Sequence, residues 1–186
     1  MKLSGASSNH GQFDFLLIDG YNIIHDWENL SSLAETSLEL ARDKLVNMVA
    51  NYQGFRDINA IIVFDAHKIR YGHENIIKYG NVTLVYTAEA ETADAYIERA
   101  IETMTRAAKP YRIAVATSDN MEQVIIMAKG AYRLSARDLL EEIETTEAEI
   151  RRKITKARPI KTNQLTDNLD PEMAEWLETM RLKKEI

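Results

Sequence analysis

Residues 13–22 read FDFLLIDGYN, a short apolar run that ends in an aspartate and a glycine. Acidic residues follow an apolar run at three further places: residues 58–64 precede Asp65, residues 82–87 precede Glu91 and Asp94, and residues 112–118 precede Asp119. In a parallel α/β sheet the carboxyl ends of the strands share one edge, and ligands bind at that edge. If each run is a strand, these acidic side chains, with Asp19 among them, converge on one site.

Helical patterns alternate with these short, β-branched runs. Strands are predicted at Phe13–Ile18, Ala60–Phe64, Thr83–Tyr86, Arg112–Ala116 and Tyr132–Leu134, and helices at Thr36–Tyr52, Thr92–Ala107 and Asn120–Lys129. Alternating strands and helices form βαβ units, whose connections are right-handed. The sequence therefore predicts an α/β sandwich of three layers, with a central, mostly parallel sheet and helices on both faces. Periodicity does not determine the order of the strands.

The composition of the chain changes twice along its length. Residues 1–12 are polar and rich in Ser, Gly and Asn, which predicts a flexible leader. Residues 13–144 hold the predicted sheet and form one domain. Residues 145–186 are predicted to form a C-terminal helical extension that packs on this domain or on a partner. The last helix is expected to begin at Asp170-Pro171, because aspartate caps helices and proline suits the first helical position.

The composition excludes several classes of site. The chain of 186 residues has no cysteine, which excludes disulfides, thiolate catalysis and zinc–thiolate centres. No P-loop, Gly-x-Gly-x-x-Gly or Gly-x-Ser-x-Gly motif occurs, so we expect neither a nucleotide cofactor nor serine-hydrolase chemistry.

The N-terminus has no secretory pattern and no apolar stretch approaches membrane-spanning length. These features favour the cytoplasm, or the stroma of an organelle after removal of a transit peptide, and no contact with a membrane.

Carboxylates that converge on one edge repel each other unless a cation lies between them. Mg2+ and Mn2+ prefer oxygen ligands of this kind, so the pattern favours a metal-dependent phosphoryl-transfer site. Each acidic position also has a structural explanation, since Asp65, Glu91, Asp94 and Asp119 all suit a turn or a helix N-terminus. The hydroxyls of Thr117 and Ser118 are placed to orient carboxylates, water or phosphate.

Four segments together resemble the YacP-like NYN domain, a family of the PIN-like ribonucleases: FLLIDGYN at 15–22, VFDAH at 63–67, ETAD at 91–94 and TSD at 117–119. The resemblance covers about residues 13–143, and Asp-Pro-Glu at 170–172 is similar to the tail of that family. It implies a PIN-like sandwich with endoribonuclease activity that depends on Mg2+ or Mn2+. The implied metal ligands and catalytic residues are Asp19, Asp94 and Asp119, with Asp65 and Glu91 in support and Asn22 as a residue that shapes the site. The resemblance also implies association with ribosomes and the turnover of mRNA.

Basic and aromatic residues indicate where RNA would bind. Residues 68–79 contain Lys68, Arg70, Tyr71 and Lys78 just beyond Asp65, a composition typical of single-strand contact surfaces. A second candidate is the segment 23–35 with Trp27, predicted as a loop at the rim of the site. A third is the basic end of the helix after Ser135, with Arg151 and Arg152. An exposed loop and a solvated helix are the structural alternatives for the first and third surfaces.

The hypothesis is a two-metal-type hydrolysis of RNA by metal-activated water. The net charge of −6 argues against a protein that coats nucleic acid by bulk charge, and leaves room for a partner that supplies the RNA. One alternative is a noncatalytic RNA- or ribosome-binding adaptor that retains the acidic residues for structure. Another is a phosphohydrolase of haloacid-dehalogenase type, which needs a second aspartate two residues after Asp19, where this chain has Tyr21.

Overall fold

The computed structural model describes residues 13–65, 75–108 and 110–157. These residues form six strands and six helices in this order: β1 Phe15–Asp19, α1 Gly20–Asp26, α2 Glu28–Thr36, α3 Leu38–Arg56, β2 Asn59–Phe64, β3 Asn75–Tyr79, β4 Val82–Tyr86, α4 Ala93–Thr105, β5 Ile113–Thr117, α5 Asn120–Ala128, β6 Tyr132–Ser135 and α6 Ala136–Ala157. The chain divides into two compact units, Met1–Ile150 and Arg151–Ile186, and the fold described below belongs to the first.

The strands form one sheet in the order β3-β4-β2-β1-β5-β6. All neighbours run parallel except β3, which pairs antiparallel with β4. The predicted α/β class with a mostly parallel sheet is therefore confirmed. Strand β1 lies between β2 and β5, and Ile18 is level with Ile62 on one side and Ala116 on the other. The carboxyl ends of β4, β2, β1 and β5 consequently follow one another along a single edge.

Alternate residues of β1 enter two separate hydrophobic cores. Leu16 and Ile18 pack on the side that includes Trp27 and Leu45, from the α1–α3 region. Leu17 packs on the other side, with Ile97 of α4 and residues of α5. Because both faces are covered, an uninterrupted apolar run rather than an alternating one is the stable sequence for such a strand. Helices on both faces give the three layers that the sequence predicts.

The prediction of a rim loop at residues 23–35 is wrong. These residues form the end of α1 and most of α2, and Trp27 is 2% exposed. Its indole Nε1 donates a hydrogen bond to the carbonyl oxygen of Ala136 at 2.9 Å. The apolar residues Ile23, Trp27 and Leu30 recur at helical spacing and are all buried. They form part of the core, and Trp27 offers no surface for RNA.

A strand that the sequence analysis did not predict, β3, occupies the end of the basic segment 68–79. Tyr79 pairs with Val82 across the two residues Gly80 and Asn81, and Gly80 has a positive φ of 60°. Two-residue hairpin turns need positive φ values and therefore favour Gly and Asn. The Gly-Asn pair was the available signal for this hairpin.

Helix α6 begins with a reciprocal capping arrangement between Ser135 and Asp138. The Ser135 hydroxyl donates to Asp138 Oδ2 at 2.6 Å, and the Asp138 N–H donates to Ser135 Oγ at 3.1 Å. Leu139 and Ile143 of α6 are buried in the core, whereas Ile154 of the same helix is 54% exposed. Within the described residues, no helix combines the length and the apolar character needed to cross a membrane.

Replacing Gly20 with Ala is expected to destabilise the protein by about 3 kcal/mol, because overpacking a filled core forces shifts of this size. A Cβ at Gly20 would lie 2.2 Å from a ring carbon of Phe64. The matched control is Gly54→Ala in α3, where a Cβ meets nothing within 4 Å and a better helix former replaces glycine. Urea unfolding of both variants tests this. Equal urea midpoints for Gly20→Ala and the parent would show instead that the Phe64 ring shifts to accommodate the added Cβ at no cost in stability.

Candidate metal centre

Asp19 lies at the junction of β1 and α1, where it caps the helix. It is 4% exposed, so its carboxylate needs partners. Oδ1 accepts a hydrogen bond from the backbone N–H of Asn22 at 3.0 Å, and Oδ2 accepts one from the Asn22 side-chain amide at 2.8 Å. Asn22 therefore holds the Asp19 carboxylate in one orientation.

Three carboxylates from three different elements meet beside this junction. Asp19, Asp94 at the start of α4 and Glu122 in α5 each offer one oxygen, and these oxygens all lie within 4.8 Å of one another. Glu122 is 3% exposed, and neither of its carboxylate oxygens has a hydrogen-bond partner among the described residues. A buried carboxylate without partners is costly, so its presence calls for an explanation. Three acidic oxygens at this spacing are a donor set that fits an oxygen-seeking divalent cation.

The cluster shifts the pKa of every carboxyl group in it. Burial raises the pKa of Glu122 to about 8; the nearby Thr117 hydroxyl opposes the rise, and the charges of Asp94, Asp19 and Asp119 add to it. Burial also raises the pKa of Asp19 to about 6, against the hydrogen bonds from Asn22 and together with the charge of Asp94. The pKa of Asp94 is raised by burial as well, and its interaction with Asp19 opposes that rise. Without a cation Glu122 therefore tends to retain its proton near neutral pH, and a bound cation would displace it.

Asp119 lies beside this cluster but outside the set of three. It is exposed and caps α5, where its Oδ1 accepts from the N–H of Met121 at 2.7 Å and of Glu122 at 3.4 Å. Its negative charge nevertheless raises the pKa of both Asp94 and Glu122. The structure thus places Asp119 within electrostatic reach of the cluster, with its carboxylate engaged in a helix cap.

The two predicted hydroxyl residues connect β5 with the start of α1. Thr117 Oγ1 accepts from the Asp119 N–H at 3.1 Å and from the Asn22 side-chain amide at 3.4 Å. The Ser118 hydroxyl donates to the carbonyl oxygen of Asn22 at 3.4 Å. Gln123, buried in α5, donates from Nε2 to the Thr117 carbonyl oxygen at 2.9 Å. These bonds fix the two strand exits that carry Asp19 and Asp119.

Asp65 and Glu91 do not join the three carboxylates. Asp65 Oδ1 accepts a hydrogen bond from the N–H of Ala93 at 2.6 Å, which fixes the start of α4 next to Asp94. Glu91 forms a bidentate pair with Arg99, whose Nη2 lies 2.7 Å and 3.0 Å from the two carboxylate oxygens. Asp65 therefore supports the position of Asp94 through the backbone of α4, whereas the Glu91 carboxylate is paired with Arg99.

The predicted RNA-binding residues fall into three groups along the chain. Lys68, Arg70 and Tyr71 lie outside the described residues. Lys78 is exposed on β3, level with Thr83, and borders a depression of about 380 Å³ at the amino ends of β2 and β4. It is therefore remote from the carboxyl edge where the acidic cluster lies. Arg151 and Arg152 are exposed on the part of α6 that belongs to the second unit.

Sequence reasoning missed Glu122. A signal was present, because Asp119 and Glu122 lie three residues apart after a strand, as Glu91 and Asp94 do. A second observation comes only from the structure: α5 leaves Met121 76% and Val124 67% exposed while Glu122 is buried. A helix that buries an acidic residue and exposes apolar ones does not follow hydrophobic periodicity, and such departures occur at functional sites.

Comparisons with known proteins agree with this architecture. The sequence profile of the YacP-like NYN domain matches residues 16–182. The uncharacterized protein YacP of Bacillus subtilis (strain 168) is 40% identical over 166 residues, which cover 88% of this chain and 96% of that protein.

Two solved structures are also similar. The crystal structure of Rae1 (YacP) from Bacillus subtilis has 38% sequence identity and a TM-score of 0.64, and the match covers 90% of this chain and 94% of that one. A single-substitution mutant of the same protein matches with 36% identity and a TM-score of 0.67, over 90% and 99% of the two chains. The resemblance seen in the sequence is confirmed: the chain belongs to the YacP-like NYN domain family and has its PIN-like, nuclease-type fold.

Proposed function

We propose that this protein is a metal-dependent endoribonuclease that hydrolyses phosphodiester bonds of RNA, with mRNA as the substrate. One observation carries the proposal: carboxylate oxygens of Asp19, Asp94 and Glu122 lie within 4.8 Å of one another at the carboxyl edge of the sheet. Membership of a family with a nuclease-type fold supports the same reaction class.

The residues fit Mg2+ or Mn2+ better than they fit a purely structural role. Carboxylates that only stabilise a fold pair with cations or hydrogen-bond donors, as Glu91 does with Arg99. Within the described part of the chain, buried Glu122 has no such cation, and neither of its oxygens meets the geometry of a hydrogen bond, although the Thr117 hydroxyl is close enough to favour its charged form. Hard divalent cations take several carboxylate oxygens, and their charge offsets the repulsion among the three groups.

The side chains of the site have separate tasks in this proposal. When bound, the cation supplies charge neutralisation at the phosphate and lowers the pKa of the attacking water. Asp19 and Glu122 hold it from the buried side, since both are almost fully enclosed. Asp94 is half-buried and is the most accessible of the three carboxylates, so it is the one that a substrate reaches first. Asp119 lies next to Asp94 and offers a carboxylate for a second ion in a two-metal-type reaction.

We further propose that the substrate is presented by a ribosome. The net charge of −6 disfavours strong binding of free RNA, because RNA affinity depends largely on contacts between cations and phosphates. A partner that already holds the RNA removes this obstacle. Purified ribosomes are then expected to raise the cleavage rate of bound mRNA above that of the same RNA free in solution.

A cleavage assay tests the proposal on matched RNA and DNA strands, with Mn2+, Mg2+ or EDTA and with ribosomes added or withheld. We expect RNA to be cut only when a divalent cation is present. Attack by water with departure of the 3′ oxygen predicts 5′-phosphate and 3′-hydroxyl ends, whereas attack by the ribose hydroxyl leaves a cyclic phosphate. RNA binding in EDTA with no scission under any condition would support the noncatalytic adaptor instead.

A further inference from the structure

Like Arg133, which donates to Gln123 Oε1, Arg42 has a neutral hydrogen-bond partner. Its guanidinium Nη1 donates a hydrogen bond to the hydroxyl of Tyr21 at 3.2 Å. Other arginines approach carboxylates within 4 Å, in the pairs Arg56–Glu149, Arg99–Glu91, Arg106–Glu102 and Arg112–Asp14. Among the residues that the structure describes, no carboxylate forms such a pair with Arg42. A tyrosine hydroxyl is neutral at physiological pH, so the charge of Arg42 remains uncompensated by its partner.

The position of Arg42 along α3 places it at the edge of the sheet that carries the acidic cluster. Helix α3 ends at Arg56, and β2 begins at Asn59, so the C-terminal end of the helix lies at the amino edge of the sheet. Arg42 lies roughly 20 Å back along the helix axis from Arg56. Strand β2 itself rises roughly 17 Å in the parallel direction. Arg42 is therefore level with the carboxyl ends of β1 and β2.

Tyr21 connects Arg42 to the acidic residues. It follows Asp19 by two positions, and its ring packs on Phe64 at the end of β2 with the ring centroids 5.1 Å apart. The charge of Asp65 acts on the Tyr21 hydroxyl and contributes to the rise of its pKa, after the larger effect of burial. Asp65 in turn binds the start of α4 next to Asp94. Arg42 thus lies at the same edge of the sheet as the acidic cluster, on the face that α3 covers, and contacts Tyr21 there.

We propose that Arg42 binds a phosphate of the RNA strand next to the one that is cleaved. This inference rests on the proposed function for the identity of the ligand. A planar guanidinium matches two phosphate oxygens, and only one of its N–H groups is occupied by Tyr21. An RNA strand that places one phosphate at the acidic cluster carries further phosphates on either side. A half-buried cation at the same edge of the sheet, with no carboxylate paired to it among the described residues, is complementary to such a phosphate.

The test measures RNA binding without cleavage. All proteins carry Asp94→Asn to prevent cutting, and binding of a labelled single-stranded RNA is followed by fluorescence anisotropy in Mg2+ at several NaCl concentrations. Adding Arg42→Gln is expected to weaken binding about tenfold. The slope of log K against log salt is expected to become shallower by about 0.7, which corresponds to the loss of one phosphate contact on a single strand.

Two further variants separate this role from others. Arg106→Gln removes the same charge from an exposed pair at the opposite end of α4 and is expected to leave the affinity and the slope unchanged. Tyr21→Phe removes the partner of Arg42 but not its charge, so the slope is expected to stay the same. If Arg42→Gln behaves like Arg106→Gln, or if Tyr21→Phe reproduces its full effect, Arg42 only supports the fold and the inference is overturned. Absence of RNA binding by the Asp94→Asn protein overturns it as well.

Failure of the proposed function gives a different result. If the protein with Asp94 intact cuts no RNA in Mn2+ or Mg2+, the enzyme assignment fails. The anisotropy comparison still reports on Arg42, because none of its proteins needs to be active.

Discussion

Replacing Asp94 with Asn is expected to lower RNA cleavage by about a thousandfold, the usual scale for the loss of one charged group that acts in the transition state. The substitution keeps the shape of the side chain and removes one negative charge from the cluster of Asp19, Asp94 and Glu122. Since repulsion within this cluster disfavours the folded state, the metal-free variant is expected to be at least as stable as the parent. Single-turnover cleavage in Mn2+ and thermal unfolding in EDTA measure the two effects.

The matched control for Asp94→Asn is Glu102→Gln. Glu102 lies near the C-terminal end of the same helix, pairs with Arg106 at 2.8 Å, and loses the same charge on substitution. We expect parental cleavage from this variant. Asp19→Asn is expected to be as inactive as Asp94→Asn and somewhat less stable, because the new amide group faces the Asn22 amide that now donates to Asp19. Cleavage by both site variants at the parental rate, with contaminating nuclease excluded, would falsify the assignment.

Glu122→Gln is expected to abolish activity and yet to stabilise the metal-free protein. Burial raises the pKa of Glu122 from 4.5 to about 8, so the folded state binds this proton more tightly than the unfolded state. When the pKa of a group is higher in the folded state, the stabilisation that results is complete at pH values below the pKa of the unfolded state. It is lost as the pH rises through the pKa of the folded state. The parent therefore loses stability relative to the glutamine variant between about pH 4.5 and 8. At pH 8 the difference is on the order of a few kcal/mol.

Bound metal is expected to reverse this order of stability, so that the parent becomes more stable than Glu122→Gln. A ligand that binds only the folded state stabilises it in proportion to the logarithm of its concentration relative to Kd, and Glu122→Gln removes one of the binding oxygens. Denaturant unfolding at pH 5, 7 and 8, with EDTA or saturating Mn2+, provides the comparison. Glu144→Gln, at an exposed position of α6, is the control and should follow the parent throughout. Equal stability of Glu122→Gln and the parent at pH 8 in EDTA would show that the Glu122 carboxylate is solvated rather than buried.

Local patterns were sufficient to predict most of the fold. Each predicted strand overlaps an observed one, and the helices α3, α4 and α5 appear within a few residues of their predicted ends. The errors occurred where composition was interpreted as function. Trp27 was assigned to a rim because aromatic residues contact RNA, although its spacing from Ile23 and Leu30 is that of a helix facing a core. The hairpin of β3 was overlooked because its residues were considered as cations and aromatics.

The candidate metal centre was only partly predictable. The rule that carboxyl ends of parallel strands meet led to Asp19 and Asp94, and the structure places these two together. It also led to Asp119, Asp65 and Glu91, whose carboxylates are engaged with helix N-termini or with Arg99. An acidic residue after a strand can bind a cation or cap a helix, and the sequence is the same in both cases.

The sequence by itself determined the class of fold, the family and the edge of the sheet where acidic residues gather. It does so because strand and helix periods and the residues at strand ends are local properties of the chain. Only the tertiary structure decided the strand order β3-β4-β2-β1-β5-β6 and which carboxylates come within reach of one cation. The reason lies in the rotation of α5 about its axis, which is set by its packing on the sheet. That rotation turns Glu122 inward and leaves Asp119 at the N-terminus of α5 as its cap.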